Sequence, residues 1–235
     1  MKKSRVFMAA ALALSMLASS GCGSMNNTGK GALIGGGGGT ALGAGLGALI
    51  GGGKGAGIGA AIGAAVGTGA GALIGRKMDK QKKELEEQLA NSAEVSTVKD
   101  QNGLEAIKVT FNGGILFPTN GTTLSSSAKA DLTRFATSLI QNPQTNVQIF
   151  GFTDNTGSMQ VNQRVSDGRA DAVQTYLVNS GVAANRITAQ GLPMTDYIAP
   201  NTTPEGRAQN RRVEIYITAD KSMIQAAENG TLAVN

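Results

Sequence analysis

From residue 31 to residue 75 a glycine stands at every fourth position: Gly31, Gly35, Gly39, Gly43, Gly47, Gly51, Gly55, Gly59, Gly63, Gly67, Gly71 and Gly75. On an α-helix, positions four apart form a slowly winding stripe, and a stripe without side chains lets two backbones approach closely. The remaining residues of the segment are Gly, Ala, Leu, Ile and Val, apart from Thr40, Thr68 and Lys54. Lys54 is the segment's single charge and follows Gly51-Gly52-Gly53, a natural break. The halves on either side, 31–53 and 55–75, are each long enough at about 1.5 Å per residue to cross roughly 30 Å of hydrocarbon. The pattern predicts a glycine-zipper helical hairpin over residues 31–75. A flexible linker would contain Ser and would not hold this register. Insertion into a bilayer and self-association both stay open, because neither end carries the Trp, Tyr or Phe of an interfacial belt.

The residues before the zipper read as an export signal. Met1-Lys2-Lys3-Ser4-Arg5 is basic, Val6 to Ala18 is apolar and too short to span a bilayer, and the small residues Ser19-Ser20-Gly21 lead into Cys22. Cys22 is the single cysteine of the chain, which excludes an intramolecular disulfide. Its position resembles a bacterial lipobox, with Ser19 where that pattern prefers Leu. Cys22 is therefore the expected lipidation site and residues 1–21 the signal peptide. Gly23, rather than Asp, after the cysteine implies the outer membrane.

Histidine is absent. That removes Ser-His-Asp and Cys-His catalysis and any imidazole metal ligand. No paired carboxylates stand at a catalytic spacing, so the expectation is a non-enzyme with no metal and no cofactor. The formal charge of +5 contains Lys2, Lys3 and Arg5 of the signal. Without them 18 basic residues face 16 acidic ones, a balance that does not point to nucleic acid.

Residues 22–30 read as a polar tether and 76–102 as a charged helical linker. In the linker Lys80/Glu84, Lys82/Glu86 and Lys83/Glu87 are i,i+4 pairs, and Met78, Leu85 and Leu89 are its few apolar anchors. This composition predicts a solvated spacer whose basic start could sit against anionic headgroups. From residue 103 the pattern becomes globular. Ile107, Val109 and Phe111 alternate with Lys108 and Thr110, a strand. Ser125-Ser126-Ser127 offers helix caps, followed by the stripe Ala128, Leu132, Phe135, Ala136 and Leu139 and a stop at Asn142-Pro143. Residues 147–153 form a mostly apolar strand, about 160–179 a second helix stopped by Gly181, and 186–191 a third strand. A proline-bearing loop leads to a last strand at Val213, Ile215 and Ile217. The order β-α-β-α-β-β over 103–221 predicts an α/β (α+β sandwich) domain with helices packed on the sheet, and residues 222–235 read as a flexible tail.

The chemistry concentrates where a strand runs into Gly151-Phe152-Thr153-Asp154-Asn155-Thr156-Gly157. In the helix that follows, Val161, Val165, Ala172, Val173 and Tyr176 suggest an apolar stripe. With Val165 as origin, Arg169 falls at about +40° and Asn162 at about +60°, inside that stripe. A guanidinium facing a core is costly unless something pairs with it. The nearest plausible carboxylate is Asp154. An Asp and an Arg facing one small space can grip a ligand that carries both an amine and a carboxylate; equally, they can form a structural ion pair. Asn162 reads either as a bond-maker at the helix start or as a ligand contact. Arg207, Arg211 and Arg212 read as clamps on the last strand through Asp and Glu partners, with one able to reach the pocket. Asp167 and Asp171 read as solvated.

These residues, with Ser166, Arg169-Ala170, Gly181-Val182, Arg186-Ile187 and Glu205-Gly206-Arg207-Ala208-Gln209-Asn210-Arg211-Arg212-Val213-Glu214, resemble the OmpA-like C-terminal domain over about 103–221. The whole arrangement is similar to outer-membrane lipoproteins of the YiaD type. The resemblance implies non-covalent binding of peptidoglycan through the diaminopimelate of its stem peptide. By position, Asp154 would receive the ligand ammonium, Arg169 its carboxylate and Asn162 a further hydrogen bond, while Thr153 and Asn155 would shape the rim. Asn120, in Phe117-Pro118-Thr119-Asn120, matches a loop near the pocket. Pro118, Phe152 and Val165 stand where the family often has Asp, His and Leu. The implied role is a tether in the periplasm, with outer-membrane lipid held through acylated Cys22 at one end and peptidoglycan at the other. The alternative is a membrane-inserting, oligomeric or pore-like zipper that the wall-binding domain only localises.

Overall fold

The alternating run at Ile107, Val109 and Phe111 becomes an inner strand of a five-stranded sheet in the computed structural model, which describes residues 69–100, 103–118 and 121–234. The signal segment, Cys22, the tether, the zipper up to residue 68 and Asn120 lie outside the described residues. The elements in chain order are α1 (Gly69–Leu89), β1 (Ala93–Lys99), β2 (Glu105–Asn112), the short α2 (Gly113–Leu116), α3 (Ser126–Gln141), β3 (Thr145–Phe152) and α4 (Met159–Asn179). A 3₁₀ turn (Ala184–Arg186), β4 (Ile187–Leu192), α5 (Pro204–Asn210), β5 (Arg212–Ala219) and α6 (Lys221–Glu228) complete it. The expected β-α-β-α-β-β order is present as β2-α3-β3-α4-β4-β5.

The sheet order is β1-β2-β5-β3-β4, with β3 and β4 parallel and the other neighbours antiparallel. Register aligns the apolar positions: Val109 and Ile149 both oppose Ile215, and Ile107 and Val147 both oppose Ile217. Because side chains alternate along a strand, these residues share one face. They join Leu132, Phe135 and Leu139 of α3, Val173 and Leu177 of α4, and residues of α1 and α6 in one core. Phe111 and Phe135 meet edge to face there, with ring centroids 6.3 Å apart. On the opposite face Phe150, Phe152, Leu192 and Tyr216 form a smaller cluster. Ser125 caps α3 by accepting the Ala128 N–H at 3.1 Å, as the serine run predicts.

Three segments differ from the sequence reading. Residues 76–100, the described part of the expected 76–102 linker, are not a solvated spacer. Counted from inside the zipper, Ile74, Met78, Gln81, Leu85 and Leu89 fall on one helical face, and all are buried in α1. Starting at Arg76 hid Ile74 and left too few anchors to see the stripe. Gln81 occupies the polar position on that face and donates to the Ser138 hydroxyl at 3.4 Å. Beyond α1, residues 93–99 form β1, paired along its length with β2. The boundary at 103 thus cuts through one sheet and one core.

The proline-bearing loop contains α5, with Pro204 in its first turn and Thr203 capping it through the Gly206 N–H. The tail begins with α6, capped by Asp220, and buries Met223, Ile224, Ala227 and Leu232. Its apolar positions are too few to be noticed without the core that receives them. Among the described residues, no helix is long and apolar enough to cross a membrane.

Leu85→Ala tests the placement of α1. Loss of a fully buried leucine should cost about 2–5 kcal/mol in denaturant unfolding. A solvated spacer would lose no more than about 0.5 kcal/mol.

Candidate ligand-binding site

The site begins with a close approach. A Cβ on Gly151 of β3 would lie 2.3 Å from the Ser166 carbonyl, and one on Gly191 of β4 would lie 2.4 Å from the Ser166 hydroxyl. Glycine on both strands lets α4 settle against the sheet through Ser166. This rotates the helix relative to the stripe read from its apolar residues. The buried positions are Asn162, Ser166, Arg169, Ala170, Val173 and Leu177, centred about 90° from Val165. Val161 is 48% exposed and Val165 is half-buried. The stripe was misread because the sheet-facing side of α4 is small or polar near the site. Arg169 nevertheless points inward, as expected, and is 3% exposed.

Asp167 is not simply solvated. Its carboxylate accepts the Gly191 N–H at 2.9 Å and Gln163 Nε2 at 2.9 Å, fastening α4 to edge strand β4. Asp171 is exposed, as expected.

Beyond β3 the chain turns at Asp154. One carboxylate oxygen, Oδ1, accepts the Thr156 N–H at 2.8 Å, and Gly157 takes a φ of 90°. Asn162 Nδ2 donates to the carbonyls of Thr156 at 2.8 Å and Ser158 at 3.1 Å. Of its two readings, the structure supplies the bond-maker: Asn162 pins the turn that carries Asp154. Thr153 is buried beneath it, and its hydroxyl accepts the Met194 N–H at 3.0 Å. Asn155 is exposed, and its N–H reaches Asn201 Oδ1 at 3.4 Å.

Asp154 does not pair with Arg169. Its Oδ2 accepts Arg211 Nη1 at 2.6 Å. Arg211 is the member of the arginine group that reaches the site. Arg207 instead donates to the Asn201 carbonyl at 2.8 Å. Arg212 clamps β5 as expected, through Glu214 Oε1 at 2.6 Å and the Asp196 carbonyl at 2.9 Å, with its guanidinium 3.8 Å from the Phe152 ring centre. Asn210 was missed in the sequence. It is fully buried, accepts the N–H groups of Ile198 and Ala199, and donates to Asn201 Oδ1. It thereby holds the loop that supports Asn155. Its place within Gln209-Asn210-Arg211-Arg212 was the available signal.

Arg169 is held from two sides. Nε donates to the Gly121 carbonyl at 3.1 Å, and the guanidinium lies 5.3 Å from the Phe117 ring centre. Its Nη1 is buried and has no hydrogen-bond partner among the described residues. Asn120 borders this place in sequence but lies outside the described residues. Burial and the neighbouring Arg211 charge push the Arg169 pKa down, opposed by Asp154. Burial pushes the Asp154 carboxyl up, but hydrogen bonds from Arg211 and Thr156 prevail and hold it below its usual 3.8. Two guanidiniums therefore face one ionised carboxylate, and one buried guanidinium nitrogen is left without a partner among the described residues. Chemically the site is short of one carboxylate.

Residues 116–211 match the OmpA family, a stretch that contains Asp154, Arg169 and Arg211. That stretch, about two fifths of the chain, is similar to the OmpA family. Residues 1–79 match the YMGG-like Gly-zipper family, so that match ends inside α1. The protein named "Probable lipoprotein YiaD" of Escherichia coli is 39% identical over 144 residues, 61% of this chain and 64% of that protein. The "Peptidoglycan-binding protein ArfA" of Mycobacterium tuberculosis is 45% identical over 112 residues, 48% of this chain and 34% of that protein. The chain thus spans less than two thirds of either relative. Among solved structures, a MotB-like protein of Desulfovibrio vulgaris has a TM-score of 0.54 at 27% identity, covering 63% of this chain and 94% of that one. The cell wall anchor of the type VI secretion system of Pseudomonas aeruginosa has a TM-score of 0.51 at 28% identity, covering 59% and 99%. The α/β fold expected of the OmpA-like domain is thereby shown. The OmpA-family stretch runs from the end of α2 to Arg211, and α1 and β1 precede it.

The Asp154–Arg211 pair makes a pH prediction. The folded pKa of Asp154 lies below the unfolded value, so its stabilisation is present above the unfolded value and disappears as pH falls through the folded one. Asp154→Asn should lose about 1 kcal/mol at neutral pH, a modest amount because Arg211 is partly solvated. In denaturant unfolding the difference between wild type and variant should persist down to about pH 4 and close below it.

Proposed function

We propose that the domain binds peptidoglycan without a covalent bond and without catalysing a reaction, by gripping the amine and carboxylate at the free end of a diaminopimelate side chain. The observation that carries this reading is the buried, unpartnered Arg169 Nη1 beside the Asp154–Arg211 pair. Leaving such a donor empty costs about 1–3 kcal/mol, more when it is charged. A ligand carboxylate would remove that penalty through a charge-assisted bond. The amine on the same carbon would then face Asp154. The names of the relatives support the wall as the source of this ligand.

With acylated Cys22 at the other end, the protein would tie the outer membrane to the wall from the periplasmic side. Holding both ends at once raises the effective concentration at each site, so a modest pocket affinity suffices. The match of residues 1–79 to a Gly-zipper family supports the zipper itself, and the alternative reading is a membrane-inserting, oligomeric or pore-like zipper that the wall-binding domain only localises.

The experiment is sedimentation of the full chain in detergent with purified diaminopimelate-type peptidoglycan, beside Arg169→Met. Wild type should pellet with the wall, and the variant should bind at least about tenfold more weakly, a loss of about 1.4 kcal/mol. The thermal midpoint of Arg169→Met should be unchanged or raised, because the substitution removes a buried charge whose bonding is incomplete. Wild type remaining in the supernatant would refute wall binding. Collapse of the fold in the variant would make Arg169 a structural residue.

A further inference from the structure

The two arginines of the site are held in opposite ways. Arg169 is buried, anchored on the Gly121 carbonyl and laid against Phe117. It cannot leave. The Arg211 side chain is 40% exposed, and it donates to Asp154 Oδ2 at 2.6 Å. The Arg211 backbone is fixed, with its N–H on the Arg207 carbonyl at 3.1 Å and its carbonyl accepting Gly113 N–H at 2.7 Å. The side chain can therefore swing from a stationary base.

Asp154 has little left to offer a ligand while Arg211 is in place. Its side chain is 8% exposed; Oδ1 is taken by the Thr156 N–H, and Oδ2 by Arg211. With so little of the carboxylate exposed and Arg211 lying on its second oxygen, an incoming ammonium competes with the guanidinium for that place. A lone amine replaces one cation by another and gains little. A carboxylate changes the balance. Seated on Arg169 Nη1, it offers Arg211 a second anionic partner and relieves the repulsion between the two guanidiniums. Arg211 can then leave Asp154 without losing a counter-charge, and the amine on the same carbon takes its place.

We propose that Arg211 is an exchangeable internal counter-ion that makes the carboxylate a condition for the amine, so that the site accepts an ammonium and a carboxylate on one carbon and refuses a lone amine. Arg211 is in this sense a specificity-determining residue. The inference rests on the wall-binding reading. It adds that stems bearing diaminopimelate are separated from stems bearing lysine by Arg211 as well as by Arg169.

The test uses the full chain in detergent and two synthetic stem tripeptides with amidated C-termini. They are identical except that the third residue is diaminopimelate or lysine, so that they differ only in the side-chain carboxylate. Titration calorimetry gives the ratio of the two affinities for wild type, Arg211→Met and Arg211→Lys. Wild type should prefer the diaminopimelate peptide by about a hundredfold or more. Arg211→Met should shrink that ratio by about tenfold or more, through tighter binding of the lysine peptide, and Arg211→Lys should keep most of it. An unchanged ratio in Arg211→Met overturns the inference. So does loss of both peptides in a variant that keeps its thermal midpoint, since Arg211 would then be a permanent ligand contact. A wild-type chain that binds neither peptide refutes the wall-binding reading itself.

Discussion

The site depends on a close contact between α4 and the two parallel strands. It requires glycine at 151 and 191 and a small side chain at Ser166. Everything at the site follows from it. It brings Arg169 under the surface, sets the Asp154 turn at the start of the same helix, and allows Asp167 to fasten the edge of β4. A larger residue at either glycine would push α4 outward and return Arg169 to solvent. There it would be an ordinary surface charge with nothing to recognise.

The protein contains two arginine-carboxylate networks, and their difference separates support from function. On the face of the sheet away from the helices, Glu214 receives Arg212, Lys108 at 3.0 Å and the Tyr216 hydroxyl at 2.7 Å. Burial pushes the Glu214 carboxyl up, but these charges and hydrogen bonds hold it below its usual value, and the Tyr216 phenol is pushed up in turn. That network is complete. Arg212 also holds the Asp196 carbonyl, in a loop where Met194 and Asp196 both adopt positive φ. The strained loop is thus tied down by the closed network and by Thr153. The network at Asp154 is left one bond short, at Arg169 Nη1.

The helix that ends the glycine zipper is part of the same core. Gly71 and Gly75 of the four-residue repeat already lie in α1, and a Cβ on Gly75 would come within 3.1 Å of Glu105. The charged stretch after residue 76 is the solvent side of a helix whose other side is Ile74, Met78, Leu85 and Leu89. The last turns of the repeat therefore pack in the core of the α/β domain with no spacer between them.

Strands β2 to β5, helices α3 and α4 and the inward direction of Arg169 were legible in the sequence. Periods of two and of about 3.6, serine caps and proline stops are local properties, and each is complete within a few residues. The membership of α1, β1 and α6 was not legible, because a helix with a charged solvent face shows its buried side only when the partner surface is known. The counter-ion of Asp154 was not legible either. Arg169 and Arg211 are 15 and 57 residues away along the chain, so spacing favoured the nearer one. Only the tertiary structure decided between them. Pairing of charges depends on distances of a few ångströms in space, and those are set by how α4 and the Asn210–Arg211 corner pack on the sheet. The sequence by itself determined that an Asp and an arginine would meet in a small space at the start of α4. The packing determined which arginine closes the pair and which keeps a nitrogen free.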